Sequence, residues 1–334
     1  MLHIVGGGAI GSLVAAGAQK HGVPYQQYPR NVKDCPSSAV WLNGEVVTLQ
    51  PARSIPSVLH ADDVLVLPLK VYQMSQALHS WLPYLVNQPT VVLLHNGMGG
   101  AEIANDVLGA DYPLLLATTS HGALKKEAEN GSVIVEYTGT GETQIGALDV
   151  QTFSRSNETS TTLNSTLSSK LSSKLYSKLP SKLSDAIALI SAALPPTHYC
   201  DNIQKALWSK LAVNAVINPL TAINNIQNKH ILDAQFDKQR QAICAEFTAT
   251  ANAYGFSFCE KQVHERVMAV AKATGENYSS MHQDIVNKRP SEIGAINGYL
   301  VESAKQKGIA TPTNTLLIQK IKEIEAQFNK NISM

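Results

Sequence analysis

Nothing in these 334 residues approaches the run of about 20 apolar residues that a membrane span needs. The opening, MLHIVGGGAIGSLVAAGAQKHG, is apolar enough to be taken for a secretion signal, but it has no basic leader and three consecutive glycines interrupt it. Cysteine is scarce. Cys35, Cys200, Cys244 and Cys259 form no C-x-x-C pair and stand in no zinc-type spacing with histidine. Free thiols in a reducing compartment fit this pattern, and a cytoplasmic location is expected. Charge of one sign is missing too. A formal net charge of +1 gives no field to draw in nucleic acid or an anionic membrane surface, so the expected partner is a small molecule.

What is present suits a globular chain. At 334 residues and 44% hydrophobic content, it can bury two cores, and two domains are expected, residues 1–200 and 201–334. Leu2 to Val5 is a short apolar run followed by glycines and then by a helical pattern from Ile10 to His21, which reads as strand, turn, helix. Val23–Tyr28, Asp63–Lys70, Thr90–His95 and Leu114–Thr118 are further strand-length runs, suited to a parallel sheet covered on both faces. Two hairpins are expected beside it, one turning at Asn43-Gly44 and one within Ser132–Ile145. From about Asn202 the period becomes helical and strand signal almost vanishes, so the second domain should be mostly α.

Between them lies a tract rich in Ser, Thr, Lys and Leu, residues 154–184, in which SKL recurs around Lys170, Lys174, Lys178 and Lys182. Its leucines keep a period of four, which drifts by about 40° per step around a helix of 3.6 residues per turn, so no straight apolar face persists. A solvated, partly helical surface insertion is one reading, and an arm that binds a partner or an anionic surface is the other.

Gly6-Gly7-Gly8-Ala9-Ile10-Gly11 fits G-x-G-x-x-G between a strand and a helix, where backbone N–H groups and the helix dipole can hold a pyrophosphate. An acid at the end of the second strand would select NAD by binding a ribose hydroxyl, but the first acid in the chain is Asp34. Arg30 stands where a 2′-phosphate would sit, which favours NADP; its alternative is a solvated loop cation. Lys70 in LKVYQ and Asn96 in HNGMG end the next two strands, at the edge where ligands collect in open α/β sheets, although either can be a simple cap. Thr118 to Ala123 ends another with small residues that would admit a nicotinamide close to the backbone.

In KLAVNAVINP, Lys210, Asn214 and Asn218 are spaced i, i+4, i+8, so on a helix one ammonium and two amides share a stripe of an otherwise apolar element. Desolvation would make that lysine a proton donor near neutrality; a structural pairing with a carboxylate is the competing reading. Further on, Ser280–Asp284 can begin a helix whose N-cap hydroxyls suit a substrate carboxylate. Glu292, after Pro290-Ser291, reads on its own as a first-turn acid behind an N-cap.

Together these residues resemble the ketopantoate (2-dehydropantoate 2-) reductase family, from Leu2 to about Gln327 with only the Ser/Lys/Leu tract intervening. Six motifs carry the resemblance: the glycine turn, LKVYQ, HNGMG, TTSHGA, KLAVNAVINPLTA, and SSMHQDI with its downstream R-x-x-E-I. The resemblance implies an α/β Rossmann-type N-terminal domain and an all-α C-terminal domain like that of 6-phosphogluconate dehydrogenase, with the active site in the cleft between them. It further implies NADPH as cofactor, bound by Gly6, Gly7, Gly8, Ala9, Ile10, Gly11, Arg30, Lys70, Asn96, Ala123 and Glu292. Ketopantoate would meet Asn96, Lys210, Asn214, Asn218, Asn228, Asn277 and Ser280. Lys210 would be the proton donor and Glu292 would orient the reacting groups, with no metal required. A monomer or homodimer is expected. The rivals are a related NADP-dependent reductase of another 2-oxo acid and a non-catalytic NADP(H)-sensing protein.

Overall fold

The computed structural model describes residues 1–54, 56–128, 131–148 and 179–328. The chain divides into two compact units, Met1–His95 with Gly100–Ile203, and Asn96–Gly99 with Gln204–Met334.

The first unit runs β1 (Leu2–Val5), α1 (Ala9–Lys20), β2 (Tyr25–Tyr28), β3 (Ser38–Val40), β4 (Val46–Thr48), β5 (Val64–Leu67), α2 (Val71–Trp81), β6 (Thr90–Leu94), α3 (Gly100–Leu108), β7 (Leu114–Thr119), β8 (Gly122–Glu127), β9 (Val133–Gly139), β10 (Thr143–Ala147), α4 (Ser181–Ala193) and β11 (Thr197–Tyr199). Seven strands form one sheet in the order β11-β10-β7-β6-β5-β1-β2. Its core β2-β1-β5-β6-β7 is parallel. Every residue of β1, β5 and β6 is buried, which is why these strands read as mostly apolar runs, with only His3 and Thr90 polar, rather than alternating ones. From β1 the chain passes to β2 on one side and then to β5, β6 and β7 on the other. The order therefore reverses at the carboxyl end of β1, where an open α/β sheet offers a crevice.

Helix α1 is apolar nearly all round because it is covered twice. Leu13, Val14 and Ala18 join Leu2, Ile4 and Val66 of the large sheet and Ile187 and Ile190 of α4 in one core. Ala16 packs with Ala39, Val47 and Val135 of a second, four-stranded sheet, β4-β3-β9-β8. The Asn43-Gly44 hairpin joins β3 and β4 as expected, with Gly44 at φ +80°. The expected hairpin within Ser132–Ile145 does not form. β9 instead pairs antiparallel with β8, while β10 crosses to the large sheet and pairs antiparallel with β7. The crossing occurs at Gly141, where an added Cβ would lie 2.3 Å from the Ser120 carbonyl carbon. Burial of Thr143 and Ile145 against β7 outweighs local hairpin closure.

The Ser/Lys/Leu tract also needs a corrected boundary. Most of it lies outside the described residues, but Ser181 opens α4, whose Ile187 and Ile190 are core, and Leu179 and Leu183 pack against that core. Residues 179–184 therefore belong to the fold and not to an insertion.

The second unit is helical: α5 (Ile203–Asn224), α6 (Asp237–Ala253), α7 (Glu260–Ala273), α8 (Ser280–Val286), a π turn at Gly294–Gly298, α9 (Tyr299–Gln306) and α10 (Pro312–Phe328). Trp208 of α5 lies among Phe247, Tyr254, Phe256 and Tyr299, with ring centroids 5.5–6.1 Å away, so α5 is seated centrally in this unit. Among the described residues no helix is long and apolar enough to cross a membrane.

Candidate active site

The glycine turn is fastened from β2. The Gly6 N–H donates to the Tyr28 carbonyl at 2.7 Å, and Gln27, buried in β2, donates through Nε2 to the Gly6 carbonyl at 2.9 Å and to Ser12 Oγ at 3.1 Å. Gly6 has φ +97°, a conformation that L side chains rarely adopt. At Gly11 an added Cβ would lie 2.9 Å from Pro68 Cγ, so this glycine sets the approach of α1 to the end of β5. Gly8 is different: its φ is ordinary and an added Cβ would meet nothing within 4 Å. Ala9 and Ile10 turn their side chains to the two cores, leaving their backbone for the turn. No side chain caps α1 and no acid stands in its first turn, so an N-terminus with the positive end of its dipole is left for an anion.

Arg30 is exposed two residues beyond β2. Asp34, the nearest acid in sequence, accepts from Asn31 Nδ2 at 2.9 Å. Lys70 is the N-cap residue of α2, half-buried, its ammonium 5.9 Å from the centre of the Tyr72 ring. Ala123 is not in a loop at the end of β7 but within β8, opposite Tyr137, and touches both cores of the first unit. His121 beside it is structural in its contacts, with Nδ1 2.7 Å from Tyr137 Oη and 3.2 Å from the Gly141 N–H donor.

In the second unit Lys210, Asn214 and Asn218 share one stripe of α5, as their spacing predicts. Burial lowers the pKa of Lys210 to about 8, and the charge of Glu292 acts in the opposite direction. Glu292 itself is buried and precedes the π turn rather than opening an α-helix. It is held there by its neighbour Ser291, whose N–H and hydroxyl both donate to Glu325 Oε1, at 2.8 and 2.6 Å. A carboxylate that keeps a desolvated ammonium protonated, next to two amides, is an arrangement able to protonate a developing oxyanion.

The Asn96 loop clusters with this unit. The Met98 N–H donates to the Ala295 carbonyl at 2.8 Å, and Gly97 at φ +75° lets the loop come close, since a Cβ there would lie 2.6 Å from that same oxygen. Asn228 and Asn277 also meet, the Asn228 N–H donating to the Asn277 carbonyl at 2.9 Å while Asn228 Nδ2 donates to Thr274 Oγ1 at 3.0 Å. Ser280 is the exposed first residue of α8; the cap is Ser279, whose Oγ accepts from the His282 N–H at 3.1 Å and from Thr221 Oγ1 of α5 at 2.7 Å. Sequence reasoning passed over Gln27 and gave no role to Ser279 or Asn297. Only the last was signalled, by Pro219 inside a helix, which leaves a carbonyl in want of a donor.

A dinucleotide-type glycine turn at the switch point of a parallel sheet, followed by a helical unit with a desolvated lysine, defines a two-unit protein with a Rossmann-type fold. Residues 2–150 match the family profile described as Ketopantoate reductase PanE/ApbA, and residues 202–325 match Ketopantoate reductase PanE/ApbA C terminal; the chain belongs to this family. It is 34% identical over 328 residues to the 2-dehydropantoate 2-reductase of Vibrio cholerae, covering 98% of each chain. The crystal structure of a PanE/ApbA family ketopantoate reductase from Ralstonia eutropha shares the fold at TM-score 0.75 and 22% identity, covering 98% of this chain and 100% of that one. A D-mandelate dehydrogenase solved with NADH and anilino(oxo)acetate does so at TM-score 0.74 and 22% identity, with the same coverage.

Proposed function

We propose that this chain reduces the ketone of 2-dehydropantoate to (R)-pantoate with NADPH. The observation that supports it most directly is Lys210, an ammonium whose pKa burial brings to about 8, on one helical stripe with Asn214 and Asn218 and under the opposing charge of Glu292. At neutral pH such a lysine keeps its proton yet is a stronger acid than an exposed one. In this reading Lys210 donates its proton to the ketone oxygen and stabilises the charge that develops there. Asn214, Asn218, Asn96, Asn228, Asn277 and Ser280 bind the substrate's hydroxyl and carboxylate without adding a charge that competes with Lys210.

The first unit fits a dinucleotide: Gly8 leaves open space before an uncapped helix N-terminus, and no acid follows β2 before Asp34. Gly6 to Gly11 would hold the pyrophosphate, Arg30 a 2′-phosphate, with Lys70, Asn96, Ala123 and Glu292 as further contacts. When bound, the reduced nicotinamide supplies the hydride. The deciding experiment is spectrophotometric NADPH consumption with ketopantoate, with NADH in parallel. Turnover with NADPH well above that with NADH supports the reading, and no oxidation of either ends it.

The likeness to D-mandelate dehydrogenase favours one alternative, a 2-oxo acid with a different side chain reduced with NADH. A panel of 2-oxo acids with and without the gem-dimethyl and terminal hydroxyl groups separates the two, because a pocket lined by amides should discriminate for that hydroxyl.

A further inference from the structure

Pro219 lies inside α5, four residues after Ala215. Having no N–H, it cannot supply the hydrogen bond that the Ala215 carbonyl would accept in an uninterrupted helix. Asn297, fully buried in the π turn, supplies it instead: Nδ2 donates to the Ala215 carbonyl at 2.9 Å. The other hydrogen of that amide goes to Asn314 Oδ1 at 2.8 Å, and Asn314 Nδ2 in turn donates to Glu246 Oε2 at 2.6 Å. Glu246 is anchored as the acceptor for the Thr313 and Asn314 N–H groups at the start of α10. Both ends of this relay, a carboxylate and a backbone carbonyl, only accept. The orientation of each amide between them is therefore fixed.

We propose that Asn297 is a positioning residue, replacing the donor missing at Pro219 and so setting the register of the Lys210–Asn214–Asn218 stripe against Glu292. The proposal rests on the functional reading above for its catalytic consequence. Two neighbours extend its reach. Glu292 lies five residues before Asn297, its carbonyl accepting from the Ala295 and Ile296 N–H groups at 3.0 Å, and Ala295 holds the Asn96 loop through the Met98 N–H. One buried amide thus ties the helix of the acid to the turn that carries its carboxylate partner and one of the substrate-side asparagines. An N–H restored at position 219 makes the amide dispensable.

The test is a cycle of four full-length proteins: wild type, Asn297→Ala, Pro219→Ala and the double variant. Asn297→Ala should lower kcat for ketopantoate by about tenfold to a hundredfold, as expected of a misplaced catalytic group, with KM for NADPH within about threefold of wild type. The double variant should return to within about threefold of Pro219→Ala alone, and the same coupling should appear in melting temperature. Full kcat in Asn297→Ala, or a double variant no better than Asn297→Ala, overturns the proposal. If Asn297→Ala does not fold, recovery of folded protein by the added Pro219→Ala supports it, and failure to recover overturns it. A wild type inactive on ketopantoate whose melting cycle is still coupled removes the functional reading and leaves the anchor. Active wild type with additive melting shifts removes the anchor alone.

Discussion

Glu292 opposes the effect of burial on Lys210: desolvation lowers the ammonium's pKa to about 8, and the carboxylate keeps it from falling further. In the proposed mechanism the protonated form is the acid, so ketone reduction should decline as pH rises through about 8. Glu292→Gln removes the raising influence and leaves the desolvation, which moves the decline to lower pH. Profiles of kcat against pH for the two proteins check this. A decline that stays in place would show that Glu292 does not act on the group that titrates.

Lys210→Ala should reduce kcat by about a hundredfold or more, the usual loss when a general acid is removed. NADPH affinity, read by quenching of protein fluorescence, should be little changed. A variant retaining near-normal turnover would return Lys210 to the structural role left open by its sequence.

The glycines of the turn separate into two kinds. Gly8→Ala meets nothing within 4 Å and keeps an ordinary φ, so its melting temperature should match wild type, while NADPH binding should weaken by about tenfold because in the proposed site the new methyl group would occupy the pyrophosphate's approach. Gly11→Ala places a Cβ 2.9 Å from Pro68 Cγ and should cost about 1–3 kcal/mol of stability. Calorimetry and a binding titration on both variants distinguish loss of fold from loss of ligand. Equal melting losses would contradict the distinction.

Arg30→Ala should weaken NADPH by about tenfold and leave NADH unchanged, since only the 2′-phosphate meets the guanidinium in the proposed site. The difference should shrink as ionic strength rises, because Arg30 is exposed. An equal loss for both cofactors would place Arg30 elsewhere.

The legible parts of this fold are those decided by local chemistry. β1, β5 and β6 are buried at every position and mostly apolar because both faces are covered, and the turn at Asn43-Gly44 needs the left-handed backbone that glycine allows. The Lys210 stripe was readable because helical period alone puts its three polar groups in line. Less visible was what depends on a distant partner. β9 and β10 are near neighbours in sequence, yet they end in different sheets because β10 finds the edge of β7. The start of α4 carries the repeat's own SKL pattern, and only its packing on α1 sets it apart. Ser279 and Ser280 are indistinguishable as letters; Thr221, 58 residues away, selects the cap.

That α4 belongs to the fold can be tested at Gly17. A Cβ there would lie 1.7 Å from the Ala193 carbonyl oxygen at the end of α4, and backbone, unlike a side chain, cannot rotate away. Gly17→Ala should therefore force α1 and α4 apart and open the core that Ile187 and Ile190 share with Leu13 and Val14. The cost should be about 3 kcal/mol, at the upper end for overpacking. Gly22→Ala serves as the control, because its Cβ would meet nothing and only its φ of +68° is unfavourable, a cost of about 1–2 kcal/mol. Urea unfolding midpoints of the two variants against wild type measure the difference. A Gly17→Ala protein as stable as Gly22→Ala would mean that α4 is not seated on α1, and that the repeat tract reaches further into the chain than its packing indicates.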